Sequence, residues 1–309
     1  MSNKNFSRRK FIGLTGLAGA GLALSGSPLD AALSFRKELA CLTGMELERF
    51  PDMEADCFPE MESAEKGWVK LLNGKDLSGW HTNREKIGHG TGGLWQVDKG
   101  VMTCQQDPPG SGNGGMLMTD KKYGDFELEL DVWPDWGVDS GVFIRTNEKG
   151  ECFQIYIDYH DNGLVAFIST EGKDRMYIRP FCIDGVLDAK GNLTGFITKP
   201  DSRDEAWKPD FLLYHCSPGT WKKTWKIGQW NRLRVRCTGK YPHVTTWMNE
   251  VKIMEFDGEN CPSPIYRKEQ LAEELGREGA IALQVHGGKG SWKEGAVCRW
   301  KNIKIKEIF

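Results

Sequence analysis

The sequence predicts an all-β protein, a sandwich or a barrel, on three observations. Short runs rich in Val, Ile, Phe, Tyr and Trp recur from Trp68 to the C-terminus. Gly, Asn, Asp and Pro separate them at turn spacing. The clearest run, Asp125 to Val132, alternates strictly: Phe126, Leu128, Leu130 and Val132 share one face, and Asp125, Glu127, Glu129 and Asp131 the other.

Before those runs the chain has a different character. Ser7-Arg8-Arg9-Lys10-Phe11-Ile12 precedes an apolar, Gly-rich stretch from Gly13 to Leu24. A paired arginine ahead of a mildly apolar run reads as a twin-arginine signal over residues 1–32. The run falls short of the ~20 apolar residues that span a bilayer. Cleavage after Ala23-Leu24-Ser25 and after Asp30-Ala31-Ala32 both fit. The expectation is a protein exported already folded to the periplasm or beyond, without membrane attachment once the signal is removed. Residues 33–66 read as an irregular lead-in, helical around Phe35 to Leu42 and broken by Pro51 and Pro59.

Within the β region, strands are expected at 94–97, 100–104, 125–133, 141–146, 152–159, 163–169, 231–238, 243–249, 251–256, 279–285 and 296–307. The four carboxylates on one face of 125–132 repel, so neighbouring strands should supply cations. Arg232, Arg234 and Arg236 alternate with Leu233 and Val235, and Lys304 and Lys306 alternate with Ile303 and Ile305. At least one of these strands should flank the acidic one, because opposite charges across a ladder contribute about 0.2–1 kcal/mol per pair. One late helix is expected from Lys268 to Arg277, stopped by Gly279. Residues 170–228 read as a long loop insertion with several aromatics, a functional loop or a partner contact.

Composition narrows the function. A formal net charge of -2 argues against a nucleic-acid partner, which calls for a basic excess. Nine cysteines include no CxxC pair, and Cys237 and Cys298 sit in strand-like contexts as small apolar residues. Disulfides are permitted outside the cytoplasm, but the spacing assigns none. Twelve tryptophans fit either core filling or stacking on sugar rings. Gly88 to Gly93, Gly110 to Gly115 and Gly287 to Ser291 lack P-loop spacing. The first two read as loops and the third as the rim of a cleft. Asp158-Tyr159-His160-Asp161 groups three candidate metal ligands at a strand end, although a polar turn before Asn162-Gly163 is the commoner meaning of such a run.

Ordered blocks then carry a resemblance. They are Leu71-Leu72-Asn73-Gly74-Lys75-Asp76-Leu77-Ser78-Gly79-Trp80, Trp95-Gln96-Val97-Asp98-Lys99-Gly100-Val101, and Tyr123-Gly124-Asp125-Phe126-Glu127-Leu128. Asp139-Ser140-Gly141-Val142-Phe143-Ile144-Arg145, Trp230-Asn231, Gly279 to His286 and Arg299 to Lys306 complete the set. From Gly67 onward the chain resembles the 3-keto-disaccharide hydrolase family. That resemblance implies a concanavalin-like jelly-roll β-sandwich over 67–309, with short peripheral helices and the insertion at 170–228.

The resemblance also implies a reaction. A ketone at C3 of a sugar acidifies the C2 proton and makes the glycosidic oxygen on C1 a β-leaving group. Elimination and hydration then cleave the bond without the carboxylate pair of ordinary glycosidases. A base, an electrophile for the enolate oxygen and a proton donor are needed; a divalent ion would suit the electrophilic role, and no cofactor is fixed. His286 is the candidate base. Arg145 is a candidate oxyanion partner, with a structural ion pair as its alternative. Asp158 is a third catalytic candidate, and Gln154, Gln284, Tyr156 and Asp139 are candidate substrate contacts. The expected partners are an oxidised disaccharide or glycoside and an upstream sugar oxidoreductase. In one strand the family pattern Tyr-Glu-Val-Gln-Ile is replaced by Phe153-Gln154-Ile155-Tyr156-Ile157. An amide neither takes a proton at neutral pH nor carries charge. The replacement leaves three readings open: another base, another substrate, or sugar binding without cleavage. A non-catalytic carbohydrate-binding or extracytoplasmic interaction module is the alternative function.

Overall fold

The acidic, strictly alternating strand lies near the middle of a nine-stranded antiparallel sheet, with Phe126, Leu128, Leu130 and Val132 buried. Each such side chain contributes about 1.5–3 kcal/mol by leaving water. The computed structural model describes residues 66–172, 176–201 and 209–309. The twin-arginine segment, the lead-in with its helical stretch, Cys41, Cys57 and Trp207 lie outside the described residues. Among the described residues no helix is long and apolar enough to cross a membrane.

In chain order the strands are β1 (Trp68–Lys70), β2 (Trp80–Thr82), β3 (Leu94–Asp98), β4 (Val101–Gln105), β5 (Gly115–Tyr123), β6 (Phe126–Pro134), β7 (Val138–Thr146), β8 (Cys152–Tyr159) and β9 (Val165–Glu171). They continue as β10 (Cys182–Leu187), β11 (Leu193–Lys199), β12 (Tyr214–His215), β13 (Asn231–Thr238), β14 (His243–Met248), β15 (Val251–Asp257), β16 (Gly279–Val285) and β17 (Cys298–Glu307). Two helices, α1 (Pro218–Thr224) and α2 (Lys268–Leu275), sit among them.

The large sheet runs β12-β15-β14-β13-β6-β17-β4-β3, with β1 beside β17. The second sheet runs β2-β5-β16-β7-β8-β9. Side chains from both form one core: Phe153 of β8 meets Phe256 of β15 with ring centroids 6.4 Å apart, and Thr246 Oγ1 of β14 donates to the Ala166 carbonyl of β9 at 2.7 Å. The result is the jelly-roll β-sandwich that the sequence implied.

Both basic strands flank the acidic one. Across β13 and β6, Arg232, Arg234 and Arg236 stand opposite Asp131, Glu129 and Glu127. Across β17 and β6, Lys304 and Lys306 stand opposite Glu129 and Glu127. The closest pairs are Arg232 Nε to Asp131 Oδ1 at 3.1 Å and Lys304 Nζ to Glu129 Oε2 at 3.2 Å.

Two expectations need correction. The described parts of 170–228 carry regular elements: β10 and β11 form a hairpin, β12 adds to the edge of the large sheet, and α1 buries Trp221. Its apolar residues carry no regular period, which hid these short elements. The late helix stops at Gly276, whose φ of 70° closes it, while Gly279 already begins β16. The seven described cysteines are free thiols.

Candidate active site

Neighbouring strands place the site. In the β7–β8 register, Asp139 faces Asp158, Gly141 faces Tyr156 and Phe143 faces Gln154. Because side chains alternate, these residues share the face turned away from the large sheet, while Val142, Ile144, Ile155 and Ile157 fill the core. Beside β7, β16 contributes Gln284, and His286 directly follows its last residue.

An amide relay crosses this face. Ser169 Oγ of β9 donates to Gln154 Oε1 at 3.3 Å, and Gln154 Nε2 donates to Gln284 Oε1 at 3.0 Å. Gln284 Nε2 then points its hydrogen at His89 Nε2, 3.1 Å away, which leaves the His89 proton on Nδ1. Gln154 is therefore buried with both its amide oxygen and its amide nitrogen hydrogen-bonded, and an amide does not serve as a base. Gly141 makes room for it: a Cβ there would lie 2.5 Å from Gln154 Nε2.

His89 meets the His286 ring edge to face, centroids 4.6 Å apart. His286 Nδ1 donates to the Gly287 carbonyl at 2.6 Å, so its Nε2 retains a lone pair. Three Gly-rich loops interlock around these rings. Gly114 N donates to the His89 carbonyl and Gly288 N to the Gly112 carbonyl, each at 2.8 Å. A Cβ on Gly287 would fall 2.1 Å from the His89 carbonyl oxygen, so only glycine allows this approach. The loops leave an open cleft of about 320 Å³, lined by His89, His286, Lys149, Glu151, Glu171 and nearby glycines.

Next to His286 lies a charged cluster. Asp139 Oδ2 is 3.9 Å from His286 Nδ1 and 3.6 Å from His160 Nε2. Arg179 Nη1 lies 3.8 Å from Asp158 Oδ2, while its Nε is 3.2 Å from Asp201 Oδ2 and its guanidinium lies 5.6 Å from the centre of the Tyr156 ring. Burial, reinforced by the Asp139 carboxylate, pushes Asp158 up to about 8 against the pull of Arg179. Burial also opposes the ionised Asp139, but the facing His160 outweighs it and holds Asp139 below the usual carboxylate range. Burial likewise disfavours charge on His160, yet the two carboxylates prevail and raise it to about 9. Burial, then Asp158, raises Tyr156 well above its ordinary value.

Asp139, Asp158, Gln154, Tyr156, Gln284 and His286 thus gather on one face. Arg145 does not join them. It lies near the end of β7, about 20 Å along the strand from Asp139, at a φ of 52° and 1% exposed. Its guanidinium caps the Gly239 carbonyl at 2.7 Å and pairs with Asp125 Oδ1 at 3.1 Å. Its structural alternative holds, because the buried end of the sandwich needs a cation for those acceptors. His89, Arg179 and Asp201 went unread in the sequence. For His89 the signal was a histidine set between two glycines; Arg179 and Asp201 lay in an aperiodic stretch.

The 3-keto-alpha-glucoside-1,2-lyase-like domain matches residues 67–306. A 3-keto-disaccharide hydrolase of Bacteroides thetaiotaomicron is 21% identical over 266 residues, covering 78% of this chain and 79% of that protein. Among solved structures, a Parabacteroides distasonis protein assigned to the glycosyl hydrolases is 18% identical, with a TM-score of 0.46 over 81% of this chain and 97% of its own. The Bacillus licheniformis β-glucanase is 10% identical, with a TM-score of 0.41 over 78% and 97%. With the match running through every strand of both sheets, the chain belongs to the family of 3-keto-alpha-glucoside-1,2-lyase-like domains.

Proposed function

We propose that this protein cleaves the glycosidic bond of 3-keto disaccharides or glycosides by elimination and hydration. Family membership supports a carbohydrate-cleaving role, and one local observation carries the chemistry: His286 faces the cleft with Nδ1 committed to a carbonyl and Nε2 free to accept a proton.

His286 Nε2 takes the C2 proton, and the electron pair moves onto the C3 oxygen as an enolate. Collapse of the enolate forms the C1–C2 double bond and breaks the bond from C1 to the glycosidic oxygen. The imidazolium returns its proton to that oxygen. Water then adds across the double bond, its hydroxyl to C1 and its proton to C2. The cluster beside His286, with Arg179 as its fixed cation, stabilises the enolate. The Ser169–Gln154–Gln284 relay holds His89 against His286.

Purified protein is mixed with a disaccharide oxidised at C3 and, separately, with its unoxidised parent. Free sugar should appear only from the ketone, and His286→Ala should lower the rate by about 10²–10⁴. Saturable binding of the ketone without release would end the catalytic reading and favour a carbohydrate-binding protein. The reading also includes export by the twin-arginine segment from Ser7 to Leu24. Arg8→Lys with Arg9→Lys should trap the chain in the cytoplasm on cell fractionation.

A further inference from the structure

We infer that Asp139, Asp158 and His160 form a site for a divalent first-row metal ion, which serves as the electrophile of the proposed reaction. One ligand atom from each lies within 4.8 Å of the others, the arrangement a single ion would draw together. Two carboxylates come from paired strands, and the imidazole comes from the turn that follows β8.

A second observation is independent of that grouping. Three buried polar atoms here have no hydrogen-bond partner: Asp158 Oδ1, His160 Nε2 and Tyr156 Oη. Asp158 is 7% exposed and Tyr156 3%. Buried polar atoms are paired in nearly all proteins, because an unmet one costs about 1–3 kcal/mol. The separations in the cluster fit a missing centre. Asp139 to His160 at 3.6 Å is too long for a hydrogen bond. Two ligands of one ion, each about 2.1 Å from it, commonly stand about 3–4 Å apart.

Two carboxylates with one imidazole suit Zn²⁺, Mn²⁺ or Co²⁺ better than Ca²⁺, which prefers all-oxygen shells. The ion would lie next to His286, through Asp139, and could take the C3 oxygen of the ketone.

The inference rests on the proposed reaction for its purpose but not for its test. Chelator-stripped full-length protein is titrated with Zn²⁺, Mn²⁺ and Ca²⁺ by calorimetry, without substrate. One equivalent of Zn²⁺ or Mn²⁺ should bind at micromolar affinity or better, and Ca²⁺ at least tenfold more weakly. Asp158→Asn and His160→Gln should each weaken binding about 100-fold, with circular dichroism unchanged. Co²⁺ should give a visible d–d spectrum that either variant abolishes. Absence of saturable binding, or binding unaltered in both variants, would overturn the site. Metal binding without turnover would instead sink the reaction and leave the site standing; full turnover in chelated protein would leave the reaction standing and overturn the ion's role as its electrophile.

Discussion

At Gly141 one added carbon would meet the Gln154 amide at 2.5 Å and break the relay to Gln284 and His89. Gly141→Ala should therefore cost about 1–3 kcal/mol from overpacking and slow turnover, both read from urea melts and initial rates. A variant with unchanged rates would show that the relay does not position His89. Arg145 makes the contrast. Arg145→Met should destabilise the fold by about 3 kcal/mol or more, as for a broken buried ion pair, while KM and kcat of the remaining folded protein stay near wild type. Asp158 and His160 set a pH dependence in metal-stripped protein. Asp158 is raised from the usual carboxylate range to about 8, so its stabilisation is complete below about 4 and fades as pH climbs toward 8. His160, raised to about 9, adds stability that is present below about 6.5 and lost as pH passes 9. Both slopes have the same sign. Stripped protein should melt at progressively lower temperature from pH 5 to about 9; a rising or flat melting temperature would contradict this assignment.

Among the elements, the three-strand charge ladder is the feature most open to test. Glu129 sits between Arg234 and Lys304, so Glu129→Lys converts two attractive neighbours into repulsive ones. The loss should be about 0.5–2 kcal/mol, summed from pairs of about 0.2–1 kcal/mol each, and should shrink in 1 M salt. This ladder was legible in the sequence because alternation of period two needs nothing beyond adjacent residues. Strand β5 was not. Met116, Leu117, Met118 and Thr119 are all buried, since sheet neighbours and the cleft loops cover both faces, and the strand then turns polar at Asp120 to Lys122. A strand buried on both sides has no alternation to read. The hairpin of β10 and β11 was missed for the opposite reason, with Val186, Leu187 and Ile197 exposed on an outlying ribbon.

For the molecule as a whole, the described tryptophans fall into a buried and a more exposed group, apart from the half-buried Trp136, which packs on Tyr159 and Phe196. Trp80, Trp95, Trp221, Trp225, Trp292 and Trp300 are buried. Trp68, Trp133, Trp230 and Trp247 lie beside Lys304, Arg299, Lys301 and Arg234, each cation 4.2–5.2 Å from its ring centre. A cation covers one face of each of these rings and competes there with a sugar. Trp133→Ala and Trp230→Ala should leave the apparent affinity for a 3-keto disaccharide unchanged, whereas Gln284→Ala at the cleft should weaken it about tenfold or more, as measured by fluorescence titration. Equal losses at both places would move the sugar to the large sheet.

By itself the sequence determined the all-β class, the order of most strands and the partners of the acidic strand, and it picked out Asp139, Gln154, Tyr156, Asp158, Gln284 and His286, which the strands bring to one face. These are carried by local alternation and by blocks of adjacent residues. Only the tertiary structure decided that Arg145 caps the far end of β7, that Gln154 is a buried link in a relay, and that His89, His160 and Arg179 come together around Asp139 and Asp158. Residues separated by tens of positions meet only through strand register and interlocking loops. A periodic pattern records which face a residue takes, but not which distant residue shares it.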